Sequence, residues 1–437
     1  MGNSRERPAR EGSPQRPGRV RDGRTTRTGR RHVARMSSVA VLSLHTSPLA
    51  QPGAGDSGGM NVYVRELVGS LAQAGVTSTV FVRRWADDLP DVVEVEPGFT
   101  VVHVTAGPPE LAKDDLPEVV GDFAAGVGAH LRAGPRPTAL HANYWLSGLA
   151  GHRLKHELDL PLVTTFHTLA RVKAEYGDHE PAHREQGEAE IVGCADVLLA
   201  NSQAEADQLV EHYDARPERI EIVPPGVDHA FFSPGDQDGA RRAVGLGGGP
   251  VLLFVGRIQP LKRLDVAVRA LAQLEDPTAT LVVVGGASGA DGPGGLARVR
   301  RLVTSLGLGG QVRFVPPQPH HLLSTWYRAA DVVVVPSRSE SFGLVALEAA
   351  ACGTPVVASA VGGLTTIVDD GVTGFLVEGD DPADHADRLR SLLGSPASAA
   401  AMGAAAAERA AASTWSTTAA RLRRIYGDLA VRSLVRC

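Results

Sequence analysis

The chain has 437 residues, 43% apolar and 21% charged, which excludes global disorder and, because one core stops growing near roughly 250–300 residues, favours two domains. Cys194, Cys352 and Cys437 are far apart and lack Cys-x-x-Cys spacing, so neither a disulfide framework nor a zinc ribbon is expected, and a reducing cytoplasm is the simplest setting. The net charge of −5 conceals a basic arm, residues 1–35, with eleven arginines against Glu6, Glu11 and Asp22, a balance of +8 that leaves −13 for the rest.

The arm is rich in Pro, Gly and Ser and has no Phe, Tyr or Trp to stack on bases. It reads as a disordered tail, or as a misplaced start with Met36 as the true one, rather than as a tether to nucleic acid or membrane. From residue 38 short β-branched runs alternate with Ala/Leu-rich amphipathic stretches, the pattern of parallel strands joined by crossover helices. Strands are expected at 39–44, 77–83, 100–105, 139–142, 162–166, 197–200 and 220–223, then at 251–255, 280–284, 312–315, 332–335, 355–358 and 375–377. The class is α/β, with two doubly wound parallel sheets. Pro224-Pro225-Gly226 marks the hinge. The expected domains are 36–224, 225–400 and a C-terminal helical segment, 401–437, packing back across the hinge; the Ala-rich stretch 397–426 reads as helical. No run of about 18 apolar residues and no signal-peptide core is found, so no membrane insertion is expected. Ligands of such sheets bind beyond the carboxyl ends of the strands, so two facing domains offer one wall to each of two substrates.

Three segments carry candidate chemistry. Gly53-Ala54-Gly55-Asp56-Ser57-Gly58-Gly59-Met60-Asn61 follows the first strand and opens a helix. It suits an anion held on backbone N–H groups and equally a structural turn. It has no P-loop lysine, which argues against ATP. Gly256-Arg257-Ile258-Gln259-Pro260-Leu261-Lys262 places two cations at a strand end, where they can stabilise a departing diphosphate or simply face solvent. The run from Asp331 to Pro355 contains Glu340-Ser341-Phe342-Gly343 and, within the next helix, Glu348. Either glutamate alone is a cap or a surface charge; together they can bracket a sugar nucleotide by accepting its hydroxyl hydrogen bonds.

E-S-F-G-L-V-A-L-E with G-R-x-x-P-x-K upstream resembles the retaining family-4 glycosyltransferases of the GT-B type, two Rossmann-like domains facing a central cleft. The resemblance implies a donor site with Glu348 on the ribose, Glu340 on the donor sugar and Arg257 and Lys262 on the diphosphate, with Gln51, Gly59 and Gln318 beside them. S-L-H-T-S-P-L-A-Q-P-G-A-G-D-S-G-G-M-N-V-Y is further similar to the D-inositol-3-phosphate glycosyltransferases of mycothiol biosynthesis. That implies an acceptor site of His45, Asp56, Ser57, Gly58, Gly59, Met60, Asn61, Lys113, Tyr144, Thr168 and Arg184. Read as residues alone, Tyr144 equally packs beside Trp145 and Lys113 equally serves as a surface charge. Two departures stand out: residues 107–113 are one residue shorter than the family pattern, and Gln318 replaces an arginine.

The reaction implied is transfer of N-acetylglucosamine from UDP-GlcNAc to 1D-myo-inositol 3-phosphate with retention, the inositol hydroxyl attacking the face that UDP leaves and the diphosphate taking the proton. His167 either stabilises positive character at the anomeric carbon or fixes the backbone. No Asp-x-Asp pair presents a magnesium site. The resemblance puts an optional magnesium ion near Tyr327, Arg328, Ala330 and Thr354; no cofactor is otherwise expected. It also implies a homodimer. The rivals are a sucrose-phosphate-synthase-like transferase with another phosphorylated acceptor, a UDP-sugar 2-epimerase needing no acceptor, and an inactive sugar-nucleotide-binding protein.

Overall fold

The computed structural model describes residues 38–53, 55, 57–288 and 292–437. The basic arm, Met36 and Asp56 lie outside the described residues. Among the described residues fourteen strands form two sheets. The first holds β1 (Ser38–Leu42), β2 (Thr77–Arg83), β3 (Val92–Glu96), β4 (Phe99–Val104), β5 (Ala139–Asn143), β6 (Leu162–Thr165), β7 (Val197–Ala200) and β8 (Ile220–Ile222). The second holds β9 (Val251–Val255), β10 (Thr280–Val284), β11 (Val312–Val315), β12 (Val332–Val335), β13 (Val356–Ser359) and β14 (Gly374–Val377). The expected α/β class and paired parallel sheets are therefore present.

The order in the first sheet is β3-β4-β2-β1-β5-β6-β7-β8, and in the second β11-β10-β9-β12-β13-β14. All neighbours are parallel except β3 and β4. β3 was not expected from sequence: Val92-Val93-Glu94-Val95-Glu96 is an exposed, charged edge strand, and charge on an edge blunts further pairing. The inner strands β5, β6, β7, β12 and β13 are buried throughout, as helices on both faces require.

The Ala-rich tail is two helices, Pro396–Ala410 and Trp415–Leu429. The break falls at Thr414, whose hydroxyl accepts the Thr417 N–H and caps the second helix. That helix buries Trp415, Leu422, Ile425 and Tyr426 among Val39, Val41 and Tyr63, so the end of the chain completes the core on one face of the first sheet. Tyr426 Oη lies 2.7 Å from His141 Nδ1, and His141 Nε2 lies 2.9 Å from Thr165 Oγ1.

One expectation is overturned here. Cys194 and Cys437 are joined as a disulfide across 243 residues. Their proximity arises only because the tail returns to the first sheet, where the Val435 N–H donates to Asp196 Oδ1 at 2.6 Å. Cys352 is free and buried. Among the described residues no helix is long and apolar enough to cross a membrane.

Candidate active site

Where successive connections of a parallel sheet run in opposite directions, the strand-end loops part and leave a crevice. That place lies between β1 and β5 in the first sheet and between β9 and β12 in the second. The glycine loop and His45 follow β1, Tyr144 follows β5, Arg257 and Lys262 follow β9, and Glu340 follows β12. Both crevices open on one cleft of about 300 Å³, lined by Gly59, His167 and Thr168 from one side and Arg257, Lys262 and Glu340 from the other.

On the second-sheet side, Lys262 Nζ is 2.5 Å from Glu340 Oε2, and the Ser337 hydroxyl donates to the same oxygen at 3.3 Å. Glu348 is buried, its Oε2 accepting the Tyr327 hydroxyl at 2.8 Å and its Oε1 lying 2.7 Å from His320 Nε2. Burial opposes protonation of His320, but the Glu348 carboxylate, with Glu66 and Asp228, outweighs it and raises the pKa above the ordinary value. Gly343 begins the helix that carries Glu348 at φ +96°, and a Cβ there would lie 2.7 Å from Leu364 Cδ2. Both facts require glycine at the strand-to-helix turn between the two glutamates.

The two sides touch. A Cβ on Gly58 would stand 2.9 Å from Arg257 Nε, so the glycine loop of one sheet lies directly against the cation of the other. Gln51 Nε2 donates to the Gln318 carbonyl at 2.6 Å, while Gln318 Nε2 donates to the Pro316 carbonyl at 2.9 Å. Both glutamine side chains thus make protein contacts at the cleft mouth. The Ser341 hydroxyl donates to the His167 carbonyl, and the Ser202 hydroxyl to the Ser341 carbonyl at 3.1 Å.

On the first-sheet side the expected residues converge. His45 and Tyr144 have ring centroids 4.4 Å apart, and the Arg184 guanidinium stands 5.0 Å over the Tyr144 ring. Arg184 Nη2 donates to Thr168 Oγ1 at 3.1 Å, Nε to Glu188 Oε1 at 2.8 Å, and Nη1 lies 2.8 Å from Glu180 Oε1. Glu188 is fully buried and also accepts the Ala170 N–H at 2.8 Å and the Tyr213 hydroxyl. Burial first, then the charge of Lys113, with Arg257 and Arg184 adding to it, holds the His45 pKa well below its ordinary value. Lys113 opens the 3-10 turn Lys113–Val119. Asn61 has a supporting place: its Oδ1 accepts the Gly58 N–H at 2.9 Å and its Nδ2 donates to the Ser47 carbonyl at 2.6 Å, tying the glycine loop to the loop after β1. The Gly53 N–H donates to the Ser57 carbonyl at 2.8 Å, closing that loop, and Met60 lines the cleft.

Backbone strain marks the same place. Among the described residues six non-glycines have positive φ. Asp159, Asp214 and Glu275 are ordinary helix C-caps. The other three are Tyr144, His167 and Arg263, two site residues and the neighbour of Lys262. Such conformations cost about 1–3 kcal/mol each and cluster where side chains must be held for function. His167 Nε2 is 2.9 Å from Asn143 Oδ1, and burial lowers its pKa to about 3. At neutral pH its ring is uncharged, so any stabilisation of positive charge would come from a neutral dipole rather than from proton transfer.

The residues assigned to magnesium do not fit it. The Tyr327 carbonyl accepts the Thr354 hydroxyl at 2.8 Å, the Ala330 carbonyl accepts from Gln237 Nε2 at 2.9 Å, and the Arg328 guanidinium donates to the Ser233 carbonyl. The set has no carboxylate and contains a cation, unlike a magnesium shell anchored on carboxylates and phosphates. Two cleft residues escaped sequence reasoning. His320 sits in Pro-Gln-Pro-His-His, which reads as a turn. Glu205 is buried with Oε2 on the Asn201 N–H at 2.7 Å and Oε1 without a partner, and burial raises its pKa to about 7.

Residues 57–231 match the family described as Glycosyltransferase Family 4, and residues 236–409 match Glycosyl transferases group 1. The chain is 50% identical over 410 residues to the D-inositol 3-phosphate glycosyltransferase of Streptosporangium roseum, covering 90% of this chain and 93% of that one. It is 49% identical over 395 residues to the protein of the same name from Kribbella flavida, covering 87% and 93%. Among solved structures, sucrose-phosphate synthase from Thermosynechococcus elongatus is 34% identical with a TM-score of 0.85, covering 90% of this chain and 99% of that one. Anabaena HepE in complex with UDP-glucose, at 20% identity and a TM-score of 0.73, covering 90% and 99%, shares the fold.

Proposed function

The chain belongs to the D-inositol 3-phosphate glycosyltransferases, a GT-B family, and on that premise we propose that it transfers N-acetylglucosamine from UDP-GlcNAc to 1D-myo-inositol 3-phosphate and releases UDP. The observation that carries this reading is cationic charge on both sides: Arg184 on the Thr168 hydroxyl and over the Tyr144 ring beside His45, and Arg257 and Lys262 lining the cleft opposite Thr168. A phosphorylated acceptor is attracted to one side of such a field and a diphosphate to the other.

Arg257 and Lys262 stabilise the charge that develops on the leaving diphosphate. Lys262 is already paired with Glu340, so arrival of the donor re-partners a cation and frees a carboxylate to accept sugar hydroxyls. Glu348, held rigid by Tyr327 and His320, accepts the ribose hydroxyls. Lys113, Tyr144, Thr168 and Arg184 hold the acceptor phosphate, with Arg184 oriented by Glu188. Retention follows from attack on the face that UDP leaves, with the diphosphate as base, and no magnesium is invoked. The enzyme works as a cytoplasmic homodimer, which light scattering on the purified chain tests.

The likeness to sucrose-phosphate synthase favours one second reading, a different phosphorylated acceptor. A UDP-release assay with inositol 3-phosphate and with fructose 6-phosphate separates the two. Turnover with the inositol phosphate alone is expected. Turnover only with the fructose phosphate, or conversion of UDP-GlcNAc to an epimer without UDP release, refutes the proposal.

A further inference from the structure

We infer that His152, His156, Cys194 and Cys437 form a zinc site, filled when the two cysteines are reduced, that fastens the C-terminal tail to the helices of the first sheet. His152 and His156 lie on the helix Trp145–Leu158, four residues apart and hence on one face. Their rings are 4.9 Å apart. Cys194 ends the neighbouring helix Ala182–Cys194. Cys437 arrives on the tail, positioned by the Val435 N–H on Asp196. One ligand atom from each of the four lies within 4.8 Å of the others.

The spacing suits a small tetrahedral ion. Zinc bonds of about 2.0–2.3 Å separate nitrogen and sulfur ligands by roughly 3.3–3.8 Å. Cys437 Sγ is 3.3 Å from His156 Nε2 and 3.8 Å from His152 Nε2, and Cys194 Sγ is 3.5 Å from His156 Nε2. A second observation points the same way. His152 Nδ1 is 2.7 Å from Glu190 Oε1; with its N–H donated there, Nε2 presents a lone pair toward the sulfurs, the arrangement that orients zinc-binding imidazoles. Two thiolates and two imidazoles close the coordination sphere, so the site is structural. His156 stands twelve residues beyond Tyr144, about 18 Å along the helix, well apart from the cleft.

The two sulfurs are bonded to each other in the structure, so the site requires their reduction. A small-molecule thiol does this by exchange: it gives up two electrons and two protons, becomes its own disulfide, and leaves two cysteine thiols. Zinc then displaces the two thiol protons. Cys437 is exposed, so it moves outward to the separation that a shared ion imposes without disturbing the buried Cys194.

The test uses the untagged full-length chain, purified with a small thiol reductant and no chelator. One zinc ion per chain is expected by elemental mass spectrometry, and cobalt in its place should give tetrahedral d–d bands with thiolate charge transfer. Cys437→Ser and His156→Ala, both exposed, should abolish stoichiometric zinc and the zinc-dependent rise in Tm while leaving UDP release unchanged. Glu190→Gln should weaken zinc binding about 10–100-fold. A reduced chain without zinc, equal zinc content in wild type and both ligand variants, or an intact mass that retains the disulfide in reductant with no metal overturns the inference.

Discussion

The two strand-end crevices that make up the cleft are built in different ways. On the second-sheet side, Glu340 and Glu348 come from one strand-loop-helix run and Arg257 and Lys262 from another, so two short segments supply the charged groups. On the first-sheet side His45, Lys113, Tyr144, Thr168 and Arg184 come from five separate segments, and Arg184 is held by Glu188, which is fully buried. A site drawn from two loops depends on local turn geometry. A site drawn from five depends on the core beneath it, and the variants below separate these dependencies.

The largest effect is expected at that core. Glu188→Ala leaves the Arg184 guanidinium buried with Glu180 as its remaining carboxylate, which should cost about 3–5 kcal/mol of stability in denaturant unfolding. An unfolding midpoint equal to that of the wild type would show that the acceptor side does not rest on this pair. Next comes Arg257→Ala, which should lower kcat roughly 10²–10³-fold, as loss of one preorganised donor to developing charge does. A change confined to donor KM would instead mark ground-state binding.

Glu205→Gln tests the buried carboxyl through pH. Its folded pKa, about 7, lies above the ordinary 4.5, so the protonated form favours the fold. That contribution is full below about 4.5 and lost as pH rises through about 7, a swing of about 3 kcal/mol. Urea unfolding across this window should show the swing in wild type and not in Glu205→Gln; parallel pH profiles would contradict it. The smallest effect is Lys113→Ala, expected to raise KM for the phosphorylated acceptor roughly tenfold with donor KM unchanged.

This contrast also explains what the sequence discloses. Glu340, Glu348, Arg257 and Lys262 are legible because strand, glycine turn and helix stand together in the chain. The acceptor set is legible only through resemblance, since no spacing rule connects residue 45 with residue 184. β3 was missed because alternating valine and glutamate on an edge does not look like a covered strand. His320 was missed because prolines around it read as a turn, although its place is fixed by Glu348. The Cys194–Cys437 pairing was missed because it depends on where the final helix docks, and that is decided by Trp415, Ile425 and Tyr426 filling a face of a sheet formed hundreds of residues earlier.

The division of one cleft between two crevices is tested most directly by a crystal structure of the chain with UDP and 1D-myo-inositol 3-phosphate. The account predicts the diphosphate against Arg257 and Lys262 with the ribose on Glu348, and the acceptor phosphate within hydrogen-bond reach of Lys113 and Thr168. UDP seated beside Tyr144 and Thr168, or an acceptor phosphate on the second sheet, would contradict it.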